Sequence, residues 1–274
     1  MRIQLASDLH LEFLDHDYPG ERVISPVPDA DVLVLAGDIS TGSSAIALFK
    51  DWPVPVIYVA GNHEFYSRRL EDIYSELRTK AAGTSIHFLE QDTVELDGVR
   101  FLGCTLWTDY ELDGPQNKLR NMDAARRRLN DHRLISTREG RPFSPERALI
   151  AHQLSREWLR TELNLPYEGT TVVVTHHLPH PKCVDKQYAG EALNAAFASD
   201  LSELVAQADF WFHGHTHSKV HFSHERCEVN ANPLGYPRNR SSVLAIRDVR
   251  FENGNFDYAK VIDTLAPKNQ TASN

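Results

Sequence analysis

Short runs of β-branched and leucine residues recur along the chain, at Ile3–Ala6, Val32–Ala36, Val54–Ala60, Val99–Leu106, Thr170–Thr175, Phe210–Phe212 and Ser242–Asp248. Runs such as VLVLAG and VVVT are apolar at nearly every position, the pattern of strands covered on both faces. Between them the period changes. Ser43–Lys50 and Tyr66–Ala82 read as helices, the second with Leu70, Ile73, Tyr74, Leu77 and Ala81 at helical spacing. Ser144-Pro145 is an N-cap followed by proline at the first helical position, opening a helix that runs to about Leu163. Ala198–Ala206 is a further helix. Asn117–Asp131 is another, with Leu119, Met122, Ala125 and Leu129 on one face. Near the end, Asn253-Gly254 between alternating segments predicts a hairpin.

Strands alternating with helices, followed by a β-rich end, predict an α/β fold with a mixed sheet or two packed sheets. No internal repeat or low-complexity linker divides the 274 residues. Residues 1–266 therefore read as a single domain with a partly basic insertion around 109–147, and 267–274 as a tail. Within 109–147, eight Arg and one Lys stand against seven acidic residues, although the whole chain carries −9. These arginines either form a solvated basic face or cap a site that takes phosphate.

The acidic balance argues against wrapping extended nucleic acid, and no apolar run approaches the ~18 residues of a membrane helix. Asp8 and His10 interrupt the N-terminal segment before a signal-peptide core could form. Cys104, Cys183 and Cys227 have neither disulfide-framework nor thiolate-metal spacing and read as ordinary thiols, so a cytoplasmic protein is expected. One compositional feature points to chemistry. Eight of the 14 histidines fall between His176 and His224, and histidine is the commonest metal ligand at neutral pH.

Polar residues collect where strands end: Ser7-Asp8-Leu9-His10, Gly37-Asp38, Gly61-Asn62-His63-Glu64, His176-His177 and Gly214-His215-Thr216-His217. In open α/β sheets, sites form beyond the carboxyl ends of strands, so five such ends describe one site. Asp8 and His10 are two apart, as are His215 and His217, and in extended chain such pairs point the same way. Gly37, Gly61 and Gly214 are expected to allow the positive φ of strand-to-loop corners.

The order D-x-H, G-D, G-N-H-E, H, G-H-x-H across residues 8 to 217 resembles the calcineurin-like metallophosphoesterase family. The resemblance implies a two-sheet mixed β-sandwich flanked by helices and a pair of metals. Asp8, His10, Asp38 and His217 would hold the first. Asp38 would bridge to the second, held also by Asn62, His176 and His215. The catalytic residue implied is His63, beside the metals and oriented by Asp38 or a backbone carbonyl, with Asn62 and Arg133 binding substrate. Four His, two Asp and one Asn form a mixed N/O set that favours two divalent ions among Mn, Fe, Zn, Ni or Co over Mg or Ca.

The expected reaction is hydrolysis of a phosphoester by a metal-bridging hydroxide, with a lean toward small phosphodiesters over monoesters. A nuclease of the same superfamily, or a non-catalytic scaffold of this fold, is the alternative. His177 is an alternative to His176 as ligand, and His213 reads as a strand-end histidine. The strings CTLWTDY and LNDHRLI bring Trp107, Asp109, Asp131 and Arg133 forward as neighbours of the site, whereas His180, His221 and His224 read as surface residues.

Overall fold

The computed structural model describes residues 1–265, and the tail expected at 267–274 lies outside them. Two sheets stack face to face. In the first, β1 (Arg2–Ala6), β2 (Val32–Ala36), β3 (Val56–Val59) and β4 (Ile86–Phe88) run parallel, and β11 (Val261–Asp263) closes the β1 edge antiparallel. The second has the order β5 (Asp92–Leu96), β6 (Val99–Cys104), β7 (Thr170–Thr175), β8 (Phe210–His213), β10 (Cys227–Ala231), β9 (Val220–His224). Its four central strands are parallel and both edges antiparallel. This is the two-sheet α/β sandwich with flanking helices.

The apolar runs follow from three buried layers. Ile3, Leu5, Val32, Val34, Ile57 and Val59 meet Phe101, Val172, Val174, Phe210 and Phe212 between the sheets. The alternate residues Leu33, Leu35, Val56 and Tyr58 face outward under α1 (Ser44–Phe49) and α2 (Leu70–Ala81). On the far side Leu102, Val173, Trp211 and Val229 join Leu159 of α5 (Pro145–Asn164) and Leu204 of α6 (Ser202–Val205). A strand with both faces covered has no polar face to alternate with.

Within 109–147, Met122 and Ala125 of α3 (Lys118–Arg128), with Ile135 just after α4 (Asp131–Leu134) and Phe143, join the same cluster as Phe49 and Phe65. Leu119, expected on the apolar face of α3, is instead 80% exposed, and Asn121 is buried in its place. Asn121 turns inward because its amide donates to the Tyr110 carbonyl and to Asp113. Four of the eight arginines here are held by acids at the surface: Arg120 by Asp113, Arg126 by Glu146, Arg127 by Asp123 and Arg147 by Glu139.

Three local expectations fail. Ser242–Asp248 is not a strand: it begins and ends in 3-10 turns, the Val243 carbonyl accepts from the Tyr18 hydroxyl, and Leu244 is fully exposed, so no sheet face covers it. No hairpin forms at Asn253-Gly254. Buried Asn253 instead folds the chain with its own side chain, accepting from the Asn255 N–H and donating to the Pro233 carbonyl. The hairpin of this region is β9–β10, turning at Glu225 with φ of 51°. The helix expected over 198–206 shrinks to α6.

Candidate metal centre

Five parallel strands end on one side of the sandwich, and the loops that leave them continue each other's pairing. The Asp8 N–H donates to the Gly37 carbonyl and the His10 N–H to that of Asp38, each at 3.0 Å; the Gly214 N–H donates to the His176 carbonyl at 3.1 Å. The backbone there is strained. Asp8, His10, Asp38, His215 and His217 all have φ between 46° and 69°, a left-handed region that costs an L-residue on the order of 1 kcal/mol each. The i, i+2 pairs thus reach one side through left-handed turns, not through the extended chain expected from their spacing.

The glycines act by making room. Only Gly37 has positive φ among the three. A Cβ on Gly61 would stand 2.1 Å from Asp38 Oδ1, one on Gly37 2.2 Å from His176 Nδ1, and one on Gly214 2.7 Å from Asp8 Oδ2.

Asp8, His10, Asp38, Asn62, His63, His176, His215 and His217 all converge. Donor atoms of Asp8, His10 and His217 lie within 4.8 Å of one another, as do those of Asp38, His176 and His215 and those of His10, Asp38 and His63. The outer nitrogens of three of the histidines are spoken for. His176 Nδ1 donates to the Ala36 carbonyl at 3.0 Å, His217 Nδ1 to Glu252 at 2.7 Å, and His10 Nδ1 to Glu12 at 3.3 Å. Their Nε2 lone pairs therefore face inward. His10 Nε2 lies 3.0 Å from His217 Nε2, and His176 Nε2 lies 3.1 Å from both His215 Nδ1 and Asn62 Oδ1. Acceptors crowded this closely repel unless a cation or a proton lies among them, so the donor set fits divalent ions of the N/O-binding kind.

Protons take that place in the metal-free protein. Burial alone would lower the pKa of His176, but Asp38 and Asp8 carry it up to about 9. Likewise His217, opposed by burial, is carried to about 10 by Asp8 and Glu252.

His177 is turned away from this group. Its Nδ1 faces the Thr105 carbonyl at 3.1 Å and its ring packs on Trp107, while burial and the neighbouring His176 push its pKa down to about 3. His213 is buried with Nδ1 on the Gly214 carbonyl, and burial lowers it to about 4. His180, expected at the surface, is buried, its ring tilted against those of Phe222 and His224.

His63 is held not by the Asp38 side chain or a backbone carbonyl but by Glu12. His63 Nδ1 donates to Glu12 Oε1 at 2.9 Å, while Asp38 Oδ1 accepts from the His63 backbone N–H at 2.8 Å. On its other side protonated His63 donates from Nε2 to the Tyr236 hydroxyl at 3.0 Å. Burial opposes protonation of His63, yet Asp38 and Glu12 together raise its pKa. Sequence reasoning missed Glu12, whose only signal was its place two residues beyond His10 in D-L-H-L-E. It also missed Tyr236 and Glu252, which come from a loop with no strand end to mark it.

Asn62 is oriented by Asp131, which accepts from Asn62 Nδ2 at 2.9 Å and from the Tyr66 hydroxyl at 2.7 Å, leaving Asn62 Oδ1 turned inward. Glu64 is fully buried. It accepts from the backbone N–H groups of Asp38, Ile39 and Gly61 and from the Tyr58 hydroxyl, tying two strand ends together. Arg133 is exposed, donates to Asn130, and does not line the cavity at the site; Arg128 does.

Comparison with known proteins agrees with this geometry. Residues 1–219 match the family model of the calcineurin-like phosphoesterases. The chain belongs to that family. It is a metal-dependent phosphoesterase. A protein of Acanthamoeba polyphaga mimivirus, uncharacterized protein L509, is 27% identical over 88% of this chain and 94% of its own. Among solved structures, phosphopantetheinyl hydrolase from Mycobacterium tuberculosis superposes with a TM-score of 0.65 at 19% identity, covering 91% of this chain and 94% of that one. A dimetal phosphatase from Danio rerio superposes with a TM-score of 0.53 at 15% identity, covering 84% and 86%. These two likenesses are of fold. The calcineurin-like match stops at residue 219, so Tyr236 and Glu252 lie beyond it. No described helix is long and apolar enough to cross a membrane.

Proposed function

We propose that this phosphoesterase is dinuclear and prefers small phosphodiesters. Asp8, His10, Asp38 and His217 would hold one ion, and Asp38, Asn62, His176 and His215 the other. Manganese, iron, zinc, nickel or cobalt suits this set. When bound, such a pair lowers the pKa of water and neutralises charge on the phosphoryl oxygens. His63, kept in register by Glu12 and raised in pKa, holds a proton at Nε2 for the leaving oxygen. Asn62, fixed by Asp131 with its carbonyl oxygen beside His176, would help hold the second ion.

The observation that carries the diester preference is the lining of the cavity. Its volume is about 690 Å³, and Tyr66, Tyr236, Phe197, Leu178 and Leu193 add aromatic and aliphatic surface to an otherwise polar wall. Two arginines line it, and Arg238 is partnered by Glu252. Patches of aromatic and aliphatic wall with few free cations suit a monoanionic ester with an organic group on each side better than a dianionic monoester. The Mycobacterium tuberculosis neighbour is named as a hydrolase of phosphopantetheinyl groups, which supports a substrate with an extended arm.

Residues 1–266 form one domain in this reading, supported by the shared core of the 109–147 segment. Three buried thiols, none in a disulfide, support a reducing, cytoplasmic setting. The test is to strip the protein with chelator, restore Mn²⁺, and compare initial rates on bis-p-nitrophenyl phosphate and p-nitrophenyl phosphate, with Asp38→Asn as control. A diester-to-monoester ratio in kcat/KM above one supports the preference; a ratio below one removes it.

A further inference from the structure

Beside the site lies a second cavity, of about 930 Å³. The two meet along Val184, Asp185, Asn194 and Ser218, which line both. Ser218 follows His217 directly, so the second cavity begins one residue from the metal centre. The wall between them is a strap without regular helix or strand, built from 3-10 turns at Lys186–Tyr188 and Ala192–Ala196. It is pinned where Ser218 Oγ donates to Asp185 Oδ2 at 2.7 Å and where Asn194 Nδ2 donates to the Tyr188 carbonyl at 2.6 Å.

The charges around this second cavity do not cancel. Lys182, Lys186 and Lys219 line it, and none of them forms an ion pair among the described residues. Three acids line it too, and two have partners. Asp113 pairs with Arg120 at 2.7 Å, and Asp185 holds Ser218 and the Gln187 N–H. Those neutral partners leave Asp185 charged, so Asp185 and Glu191 together face three lysines, a net excess of one cation. Lys182 Nζ sits 5.6 Å over the Phe222 ring, which places an ammonium beside an apolar surface. In a chain of net charge −9, a local excess of unpaired cations next to the reaction centre is a recognition feature.

We propose that the second cavity is a subsite for the distal arm of the substrate, and that this arm is an organic chain ending in a second anionic group. The inference rests on the phosphodiester reading above and narrows it. The scissile phosphate lies at the metal centre, the arm crosses the strap at Ser218 and Asn194, and the terminal anion meets Lys182, Lys186 and Lys219. Small esters that lack the arm are hydrolysed without using these lysines.

The test uses one scissile ester with three arms: thymidine 5′-(p-nitrophenyl phosphate), its 3′-phosphate and its 3′-succinate, with bis-p-nitrophenyl phosphate as the armless reference. All are assayed on the Mn²⁺-loaded full chain and on the Lys182→Ala/Lys186→Ala/Lys219→Ala variant. Wild type is expected to favour the 3′-anionic substrates at least tenfold in kcat/KM, mainly through KM. The triple variant should lose that preference and keep its rate on bis-p-nitrophenyl phosphate. A larger gain for the 3′-phosphate than for the succinate assigns the terminal anion as phosphate, and the reverse assigns a carboxylate. Equal kcat/KM for charged and uncharged arms in wild type, or a preference that survives in the variant, overturns the subsite. If wild type turns over none of the esters, the phosphodiester reading has failed. Calorimetry then decides the subsite: thymidine 3′,5′-bisphosphate binding wild type no more tightly than the variant overturns it, and a loss of tenfold or more sustains it.

Discussion

Glu12 joins two histidines with one oxygen, accepting from His63 Nδ1 at 2.9 Å and from His10 Nδ1 at 3.3 Å. Glu12→Gln keeps the shape and removes the charge. A hydrogen bond to a charged group is worth ~1.5–3 kcal/mol against ~0.5–1.5 for a neutral one, and the bond strengthens as His63 takes a proton. Losing most of that differential stabilisation lowers kcat by about ten- to a hundredfold. Because Glu12 also fixes His10, metal affinity should fall about tenfold, as for other groups that orient a ligand. Rates are therefore measured at saturating Mn²⁺, with metal content read by mass spectrometry.

The decisive comparison is a double-mutant cycle with His63→Ala on bis-p-nitrophenyl phosphate. If Glu12 acts on catalysis through His63, Glu12→Gln has almost no effect on kcat in the His63→Ala background, and the coupling is about 1.5–3 kcal/mol. Additive losses would falsify the assignment and return the orientation of His63 to some other group.

Three further outcomes follow from the geometry. Gly61→Ala puts a methyl carbon 2.1 Å from Asp38 Oδ1, so the purified variant should hold less than one metal per chain while wild type holds two, read by mass spectrometry; an unchanged stoichiometry would contradict the packing. His176→Ala should lose one ion per chain, whereas His177→Ala should keep both and lose ~2–4 kcal/mol of stability in urea titration, since it removes a buried ring packed on Trp107. With pKa values of about 9 and about 10 in the metal-free protein, His176 and His217 are protonated at pH 7 and must be neutral to hold an ion. Metal binding should then release about two protons at pH 7, and affinity should climb with pH up to about 10. Calorimetry in buffers of different ionisation heat measures the release, and a value near zero refutes the shifts. The same raised values stabilise the metal-free fold below about pH 6.5, a contribution lost as pH rises through 9 and 10.

The strand runs and the polar residues that end them were legible because both are local. VLVLAG is apolar throughout since each alternate residue is buried, one set between the sheets and the other under helices, and the sequence carries that fact without reference to any partner. Asp8, His10, Asp38, Asn62, His63, His176, His215 and His217 stood out for the same reason: each follows such a run within a few residues. Short or half-exposed strands such as β4 and β5 carried too little of this pattern, and Ser242–Asp248 carried it falsely in a surface loop where Leu244 is fully exposed.

What each of those residues touches was decided only in three dimensions. Glu12 reaches His63 across 51 residues, Asp131 reaches Asn62 across 69, and Tyr236 reaches His63 across 173. Arg128 rather than Arg133 lines the cavity because α3 ends there, while Arg133 points to solvent from the next turn. A single residue's own backbone preference and its neighbours' polarity are written in order along the chain. The direction of a hydrogen bond between distant loops depends on how the two sheets pack, and that is a property of all the strands at once.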